Sequence, residues 1–509
     1  MKILFIYPDF VSTGKDRHGM YNHGIGLLSA VLKKEGHEVA LLHIIKPITK
    51  NKFTDHLNRQ QPDIVAFSAT TNLYKYVKDW SKWTKEHSEA IVICGGIHPT
   101  LVPEEVIKEK SIDAVCIREG EYSLAEFCKY IDNNIDNKHI NGIWLKEDGK
   151  IYKGEPRPLS NLDELPFPDK SIFDYRNLTL GSEGCGIFMA SKGCPYNCTY
   201  CCNETLRKST NTSGQPYVRF KSVDYIIAEI EDELTKYPFI NVIGFDDDIL
   251  PLKIDWFEEF VKQYKRNIHL PMACNLRPNL ATKERFKLLK EAGCIQIAMG
   301  IEAGNDFIRN TILKRNLSLE QIINAYSLCE EAGIKMFAYN MIGLPFENVS
   351  TMLETIKLNA QVKIDMCQAS IFYPYPKTEL YELCRRENLI TNRYGKFRNF
   401  FTDTPLNFTL IERCQIRFIQ RYFRVLVIVY CFIFSLPEKT SKVCVKIYDS
   451  FLSSRITAVL ICPVLLIIHQ AIMSTKMTNK AGRWILRNIL ENPNQSRKLK
   501  KSSNLKKTE

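Results

Sequence analysis

No stretch of this chain is both apolar and long enough to cross a bilayer as an unbroken helix. Residues 424–434 are too short for a hydrocarbon core of about 30 Å, and residues 456–473 carry Pro463, His469 and Gln470. No secretory leader is expected either: Met1 to Pro8 reads as a strand, not as a charged segment followed by an apolar one. The 17 cysteines show no paired framework, and no second Cys-x2-Cys or His-x3-His lies where a tetrahedral zinc site needs it. These absences argue against a secreted, disulfide-stapled protein and point to the reducing cytoplasm. The first 390 residues also lack a positive field. Residues 391–509 hold 21 Lys and Arg against 6 Asp and Glu, or +15 of a net +12, which leaves −3 for the rest. A nucleic-acid reader carries its basic surface on the folded recognition domain, so no nucleic-acid partner is expected.

What is present suits a globular protein of two or three domains, with 509 residues and 45% apolar content. Residues 2–8 read as a buried strand and residues 26–36 as a helix with a glycine stop. Apolar strands follow at 38–43, 63–68, 90–94 and 114–117, with helical stretches between them such as 73–87 and 123–131. This alternation predicts a doubly wound parallel sheet that binds ligands at its strands' carboxyl ends. Ser68-Ala69-Thr70 and Gly95-Gly96-Ile97-His98 stand at those ends, and the glycine pair would let a bulky ligand approach the backbone. A hairpin signal at 142–153 and four prolines, Pro156, Pro158, Pro166 and Pro168, then mark an ordered linker.

Cys194, Cys198 and Cys201 fall within a single Gly/Pro/Asn loop, after a strand at 187–190. Thiolates held this close can converge on one metal centre, and three of them suit a four-iron cube with one iron left for another ligand. Three buried thiols without a ligand role are the alternative. Adjacent Cys202 cannot easily join Cys201 at one metal. Strands at 242–245, 272–275, 296–301, 335–342 and 369–372 alternate with helices, which predicts a partial (β/α)6 barrel with its chemistry on the carboxyl-end rim. The strand ends carry Asp246-Asp247-Asp248, Arg277, Glu302 and Gly343. Three consecutive acids are costly there unless they face cations or helix amino ends. Arg277 is placed to meet a carboxylate.

The Cys-x3-Cys-x-aromatic-Cys loop, with Tyr200 as its aromatic, resembles the cluster loop of the radical S-adenosylmethionine (radical SAM) enzymes. The pattern from Gly95-Gly96 to Arg118-Glu119-Gly120-Glu121 resembles the cobalamin-binding half of their cobalamin-dependent class. This resemblance implies a 4Fe-4S cluster on Cys194, Cys198 and Cys201, and SAM bound by Tyr200, Asp247, Asp248, Arg277, Glu302 and Gly343. It also implies a cobalamin groove lined by Ser68, Thr70, Gly95, Gly96 and His98. The activity implied is anaerobic: SAM is cleaved to a 5′-deoxyadenosyl radical that takes a substrate hydrogen, and cobalamin methylates the resulting carbon of a small, lipophilic substrate. A radical cyclase or other oxidoreductase with the same cofactors is the alternative. Flavodoxin or ferredoxin would donate the electron. Three departures stand out. Histidine-ligating cobalamin domains use Asp-x-His-x-x-Gly, but Asp16-Arg17-His18 is followed by Tyr21, so His18 reads either as axial cobalt ligand or as a solvated loop residue. Ala303 replaces a serine, and Lys377 a glycine.

The expected domains are a Rossmann-like cobalamin-binding domain at 1–140, a linker at 141–185, the barrel at 186–390, and a mainly helical, apolar and basic region at 391–509 with a disordered tail. The last region reads either as core helices capping the barrel or as a peripheral contact with the inner face of a membrane through 413–490. Arg413, Arg417, Arg421, Arg424, Arg483 and Arg487 favour the membrane.

Overall fold

The computed structural model describes residues 1–10, 18–133, 137–210, 216–397, 399–454 and 456–466. Its first sheet has seven strands: β1 (Lys2–Pro8), β2 (Glu38–Ile44), β3 (Ile64–Ser68), β4 (Ile91–Gly95), β5 (Ala114–Cys116), β6 (Ile143–Glu147) and β7 (Lys150–Lys153). Their order is β2-β1-β3-β4-β5-β6-β7, and β1 to β5 run parallel. Continuous apolar runs such as Ile3-Leu4-Phe5-Ile6 bury both faces of these strands, with Phe53, Val77 and Trp80 packed over one of them. The strand order reverses at β1 and β3, where such a sheet opens a crevice.

The hairpin expected in the linker belongs instead to this sheet: β6 pairs antiparallel with β5, and β7 with β6. Ile143, Trp144 and Leu145 are buried there, so the short strand β5 gains a partner and an apolar cover. The remaining linker is a clasp. Asp169 accepts hydrogen bonds from Ser29 (2.6 Å) and Lys33 (2.7 Å) on the His23–Lys34 helix. Tyr225, on the Val223–Lys236 helix, donates to the Leu165 carbonyl at 2.7 Å.

Eight further strands follow: β8 (Cys185–Phe188), β9 (Ser191–Lys192), β10 (Arg219–Phe220), β11 (Val242–Phe245), β12 (Met272–Asn275), β13 (Cys294–Glu302), β14 (Lys335–Ile342) and β15 (Met366–Ile371). By compactness the chain divides into two units. The first holds 1–276, 282–295 and 374–399; the second holds 277–281, 296–373 and the chain from Phe400. Parallel strands β8, β11 and β12 belong to the first unit. Parallel strands β13, β14 and β15 carry the second.

In the second unit the apolar run 424–434 is the latter half of a longer helix, Leu410–Phe434. A capping box starts it, Thr409 and Glu412 each satisfying the other's backbone amide. Its buried stripe of Ile416, Ile419, Phe423, Val427 and Tyr430 packs with Met352, Ile356 and Ile371. Among the described residues no single helix is long and apolar enough to cross a membrane. His469, Gln470, Met473, Arg483, Arg487 and the basic tail lie outside the described residues.

Candidate active site

The cluster loop leaves β8 through a two-strand clamp in which β9 and β10 pair antiparallel. Gly193 has φ +90°, and a Cβ there would stand 2.7 Å from the Tyr217 carbonyl oxygen, so the turn needs glycine. Arg207 donates to the Pro195 carbonyl (2.7 Å) and to the Asn197 side chain, which fixes the loop from outside. Inside, Asn203 donates to Cys201 Sγ at 3.7 Å and to the Asp248 carboxylate at 3.2 Å, while Tyr217 holds its amide oxygen at 2.7 Å.

These residues fit a cluster. Burial pushes the Cys194 thiol up to about 11, a cost that a bound cation centre removes by taking the thiolate. Among the described residues no three His, Cys, Asp or Glu side chains converge on one ion. A four-iron cube seats its thiolates on separate corners, which three cysteines on one short loop can supply. The hydrogen bond between Cys201 and Cys202 raises the first thiol and lowers the second.

The three acids after β11 divide their work. Asp247 is fully buried and accepts from the Ala190 amide (3.0 Å) and the Ser191 hydroxyl. Burial pushes its carboxyl up to about 6. The expected SAM contact is therefore corrected: Asp247 braces the root of the cluster loop, because three consecutive acids cannot all face outward from a strand end. Asp246 and Asp248 line a cavity of about 280 Å³, whose other walls are His23 and Leu27, Leu162 and Leu165 of the clasp, Met189 and Gly193.

A second cavity, of about 210 Å³, opens at the carboxyl ends of β3 and β4 and is lined by Ser68, Gly95, Gly96, Cys116, Arg118 and Glu121. Gly96 has φ +101°, and a Cβ would meet the Ala69 backbone at 2.9 Å. Glycine there lets the turn after β4 lie directly on the backbone that follows β3, at the edge of a cavity that suits a ligand tail. Gly24 and Lys192 border both cavities. Lys192 is ion-paired with Glu121 (2.7 Å) and Glu119 (3.4 Å), and Glu119 also holds Arg219.

Three expected cobalamin contacts stand elsewhere. His98 is buried, with Nδ1 3.2 Å from the Thr71 hydroxyl and its ring against Tyr74; the helical turn that follows Gly96 carries it inward. Its pKa is pushed down to about 4 by burial. Thr70 is exposed and donates to Asn72 at 3.0 Å. His18 is exposed and lines neither cavity. Tyr200 is half-buried in the cluster loop.

The second unit gathers Arg277 and Glu302 around Arg315. Arg277 donates to the Arg315 carbonyl, and Arg315 reaches Glu302 at 3.6 Å and the Gly300 carbonyl at 2.5 Å. Glu302 lies at φ +63°, a strained position for a non-glycine residue. Gly343, at φ +68°, begins a turn whose next amide, Leu344, is held by buried Glu347 at 2.9 Å. Burial pushes the Glu347 carboxyl up to about 8. In the first unit Lys377, where a glycine was expected, still takes a left-handed conformation at φ +63°, and Thr205 donates to its carbonyl at 3.0 Å.

Sequence reasoning missed His23, Asn203 and Lys192. Only Lys192 left a signal, as a charge directly before the cluster loop's first glycine.

Comparison with known proteins agrees with this geometry. Residues 189–358 match the radical SAM superfamily and residues 13–128 match the B12 binding domain. An uncharacterized methyltransferase of Pyrococcus horikoshii is 28% identical over 411 residues, covering 80% of this chain and 87% of its own. An anaerobic magnesium-protoporphyrin IX monomethyl ester cyclase of Rubrivivax gelatinosus is 24% identical, covering 75% and 70%. The cobalamin-dependent SAM radical enzyme OxsB shares the fold, with a TM-score of 0.64 at 17% identity over 96% of this chain and 75% of that one. The chain belongs to the radical SAM enzymes that carry a cobalamin-binding domain. Their cofactors are a 4Fe-4S cluster, SAM and cobalamin, and their substrates are small molecules.

Proposed function

We propose that this enzyme methylates an unactivated carbon of a small, lipophilic molecule. The observation that carries the reading is the shared wall: Gly24 and Lys192 border both the glycine cradle and the cavity beside the cluster loop. When bound, the cluster supplies reductive cleavage of SAM and cobalamin supplies the methyl group. The chain's residues hold and orient. Cys194, Cys198 and Cys201 anchor the cluster, and Asp248 meets the SAM amino group. In the second unit Arg277, Glu302 and Gly343 are the residue types that suit a carboxylate, a ribose and an adenine. Ser68, Gly95 and Gly96 admit the cobalamin tail. Leu27, Leu162, Leu165 and Met189 exclude water and favour an apolar substrate. Lys192 is neutralised by its two glutamates and adds no free charge. Flavodoxin or ferredoxin supplies the electron.

Anaerobic reconstitution with cluster and cobalamin, reduction, and addition of SAM alone test this. S-adenosylhomocysteine released in proportion to bound cobalamin is expected, beside 5′-deoxyadenosine. Deoxyadenosine without homocysteine product would favour a cyclase or other oxidoreductase.

A cytoplasmic enzyme for such a substrate would gain from resting on the inner face of a membrane, and the second unit offers a surface. Val443, Ile447 and Phe451, spaced by four on the Glu438–Ser453 helix, are 56%, 65% and 45% exposed. Exposed Lys439, Lys442 and Lys446 flank that ridge, in the pattern of a helix lying on an anionic bilayer. The full chain should float with phosphatidylserine vesicles and less with neutral ones; a Val443→Ser, Ile447→Ser double variant that floats equally well would defeat the idea.

A further inference from the structure

The first domain leaves one histidine beside the proposed cofactors, and it is not the one the motif names. His23 opens the His23–Lys34 helix, lines the cavity beside the cluster loop, and places its Nε2 3.2 Å from Asp246. Ligand cavities run to roughly 300–1,000 Å³, and at about 280 and 210 Å³ neither cavity alone reaches that range. Both are bordered by Gly24, so a cofactor tail seated in the glycine cradle brings the rest of the group past Gly24, and so beside His23.

The departure at Tyr21 fits the same picture. Tyr21 replaces the motif glycine that would follow His18, and its buried ring packs edge-on against His23, centroids 5.0 Å apart. The bulky residue that spoils the motif thus buttresses the second imidazole. His98 is engaged by Thr71 and Tyr74, and His43, which pairs with Asp9 at 3.0 Å, lines neither cavity. An imidazole that gives its Nε2 proton to a carboxylate keeps a lone pair on Nδ1, the usual arrangement of a metal-binding histidine and its supporting acid.

We propose that His23, held by Asp246, is the imidazole this chain presents to the metal of bound cobalamin, in the role that the motif position would give His18. The proposal rests on the cobalamin reading above. Its test is electron paramagnetic resonance of the full chain loaded anaerobically with cobalamin and reduced to the cobalt(II) state. A single coordinated nitrogen splits each cobalt line into a triplet. Growing the protein on heavy-nitrogen histidine turns that triplet into a doublet only if the nitrogen is histidine's; cobalamin's own base keeps the triplet. A doublet is expected, retained in His18→Gln and lost in His23→Gln, with Asp246→Asn shifting the splitting. Bound cobalamin whose signal ignores the label, or a doublet that survives His23→Gln, overturns the proposal and leaves the cobalamin reading intact. No retained cobalamin overturns both. The labelled wild type decides by itself whether any histidine nitrogen is bound, and a wild-type signal that ignores the label overturns the proposal even if a variant fails to fold.

Discussion

Two binding regions meet in the first unit, and they are built in opposite ways. At the carboxyl ends of β3 and β4 the groove is a matter of shape, set by the close backbone packing that Gly96 permits. At the ends of β8 and β11 the site is made by what is present: three thiols, Asn203 and two of three acids. A shape-built groove tolerates loss of any one contact, and an added atom harms it only where backbone already touches backbone, as at Gly96 and not at Gly95. A charge-built rim tolerates small changes of shape but not loss of a donor.

That contrast breaks most visibly at the cysteines. Alanine at Cys194, Cys198 or Cys201 should remove the brown colour and reduce 5′-deoxyadenosine to background, whereas Cys202→Ser should keep both. Asp247 comes next. Its carboxyl pKa is raised in the fold to about 6 from 3.8, so its contribution is fully present below pH 3.8 and is lost as pH rises through 6. That loss is about 3 kcal/mol, at about 1.4 kcal/mol per unit. Denaturation of Asp247→Asn should lack this component, seen as a narrowing gap from wild type between pH 4 and 6. Asp248→Asn should instead leave stability unchanged and weaken SAM roughly tenfold or more in a binding titration, the worth of a charge-assisted hydrogen bond of about 1.5–3 kcal/mol. Gly96→Ala adds strain of roughly 1–2 kcal/mol and a contact at 2.9 Å, and should weaken cobalamin about tenfold. Gly95→Ala, whose Cβ would stand 3.5 Å from Cys116, should change binding by less than about 0.5 kcal/mol.

The same contrast explains what could be read without coordinates. Strands were legible because continuous apolar runs such as Ile64-Val65-Ala66-Phe67 have no other stable use, and the cysteine loop because its spacing is short-range. The hairpin's membership in the first sheet was hidden, since pairing of β6 with β5 is decided by an edge that needs a partner. So were the inward turns of His98 and Asp247: adjacent residues differ only in which way the backbone faces them, and a sequence carries no mark of that. His23 and Asp246 are 223 positions apart, and only folding makes them a pair.

The clasp has a mechanical consequence. Pro166 and Pro168 form part of the wall beside the cluster loop, and proline's locked φ and missing amide leave that wall little room to bend. That side of the cavity therefore keeps its shape whatever occupies it, and adjustment to an occupant falls to flexible side chains such as Leu27 and Met189.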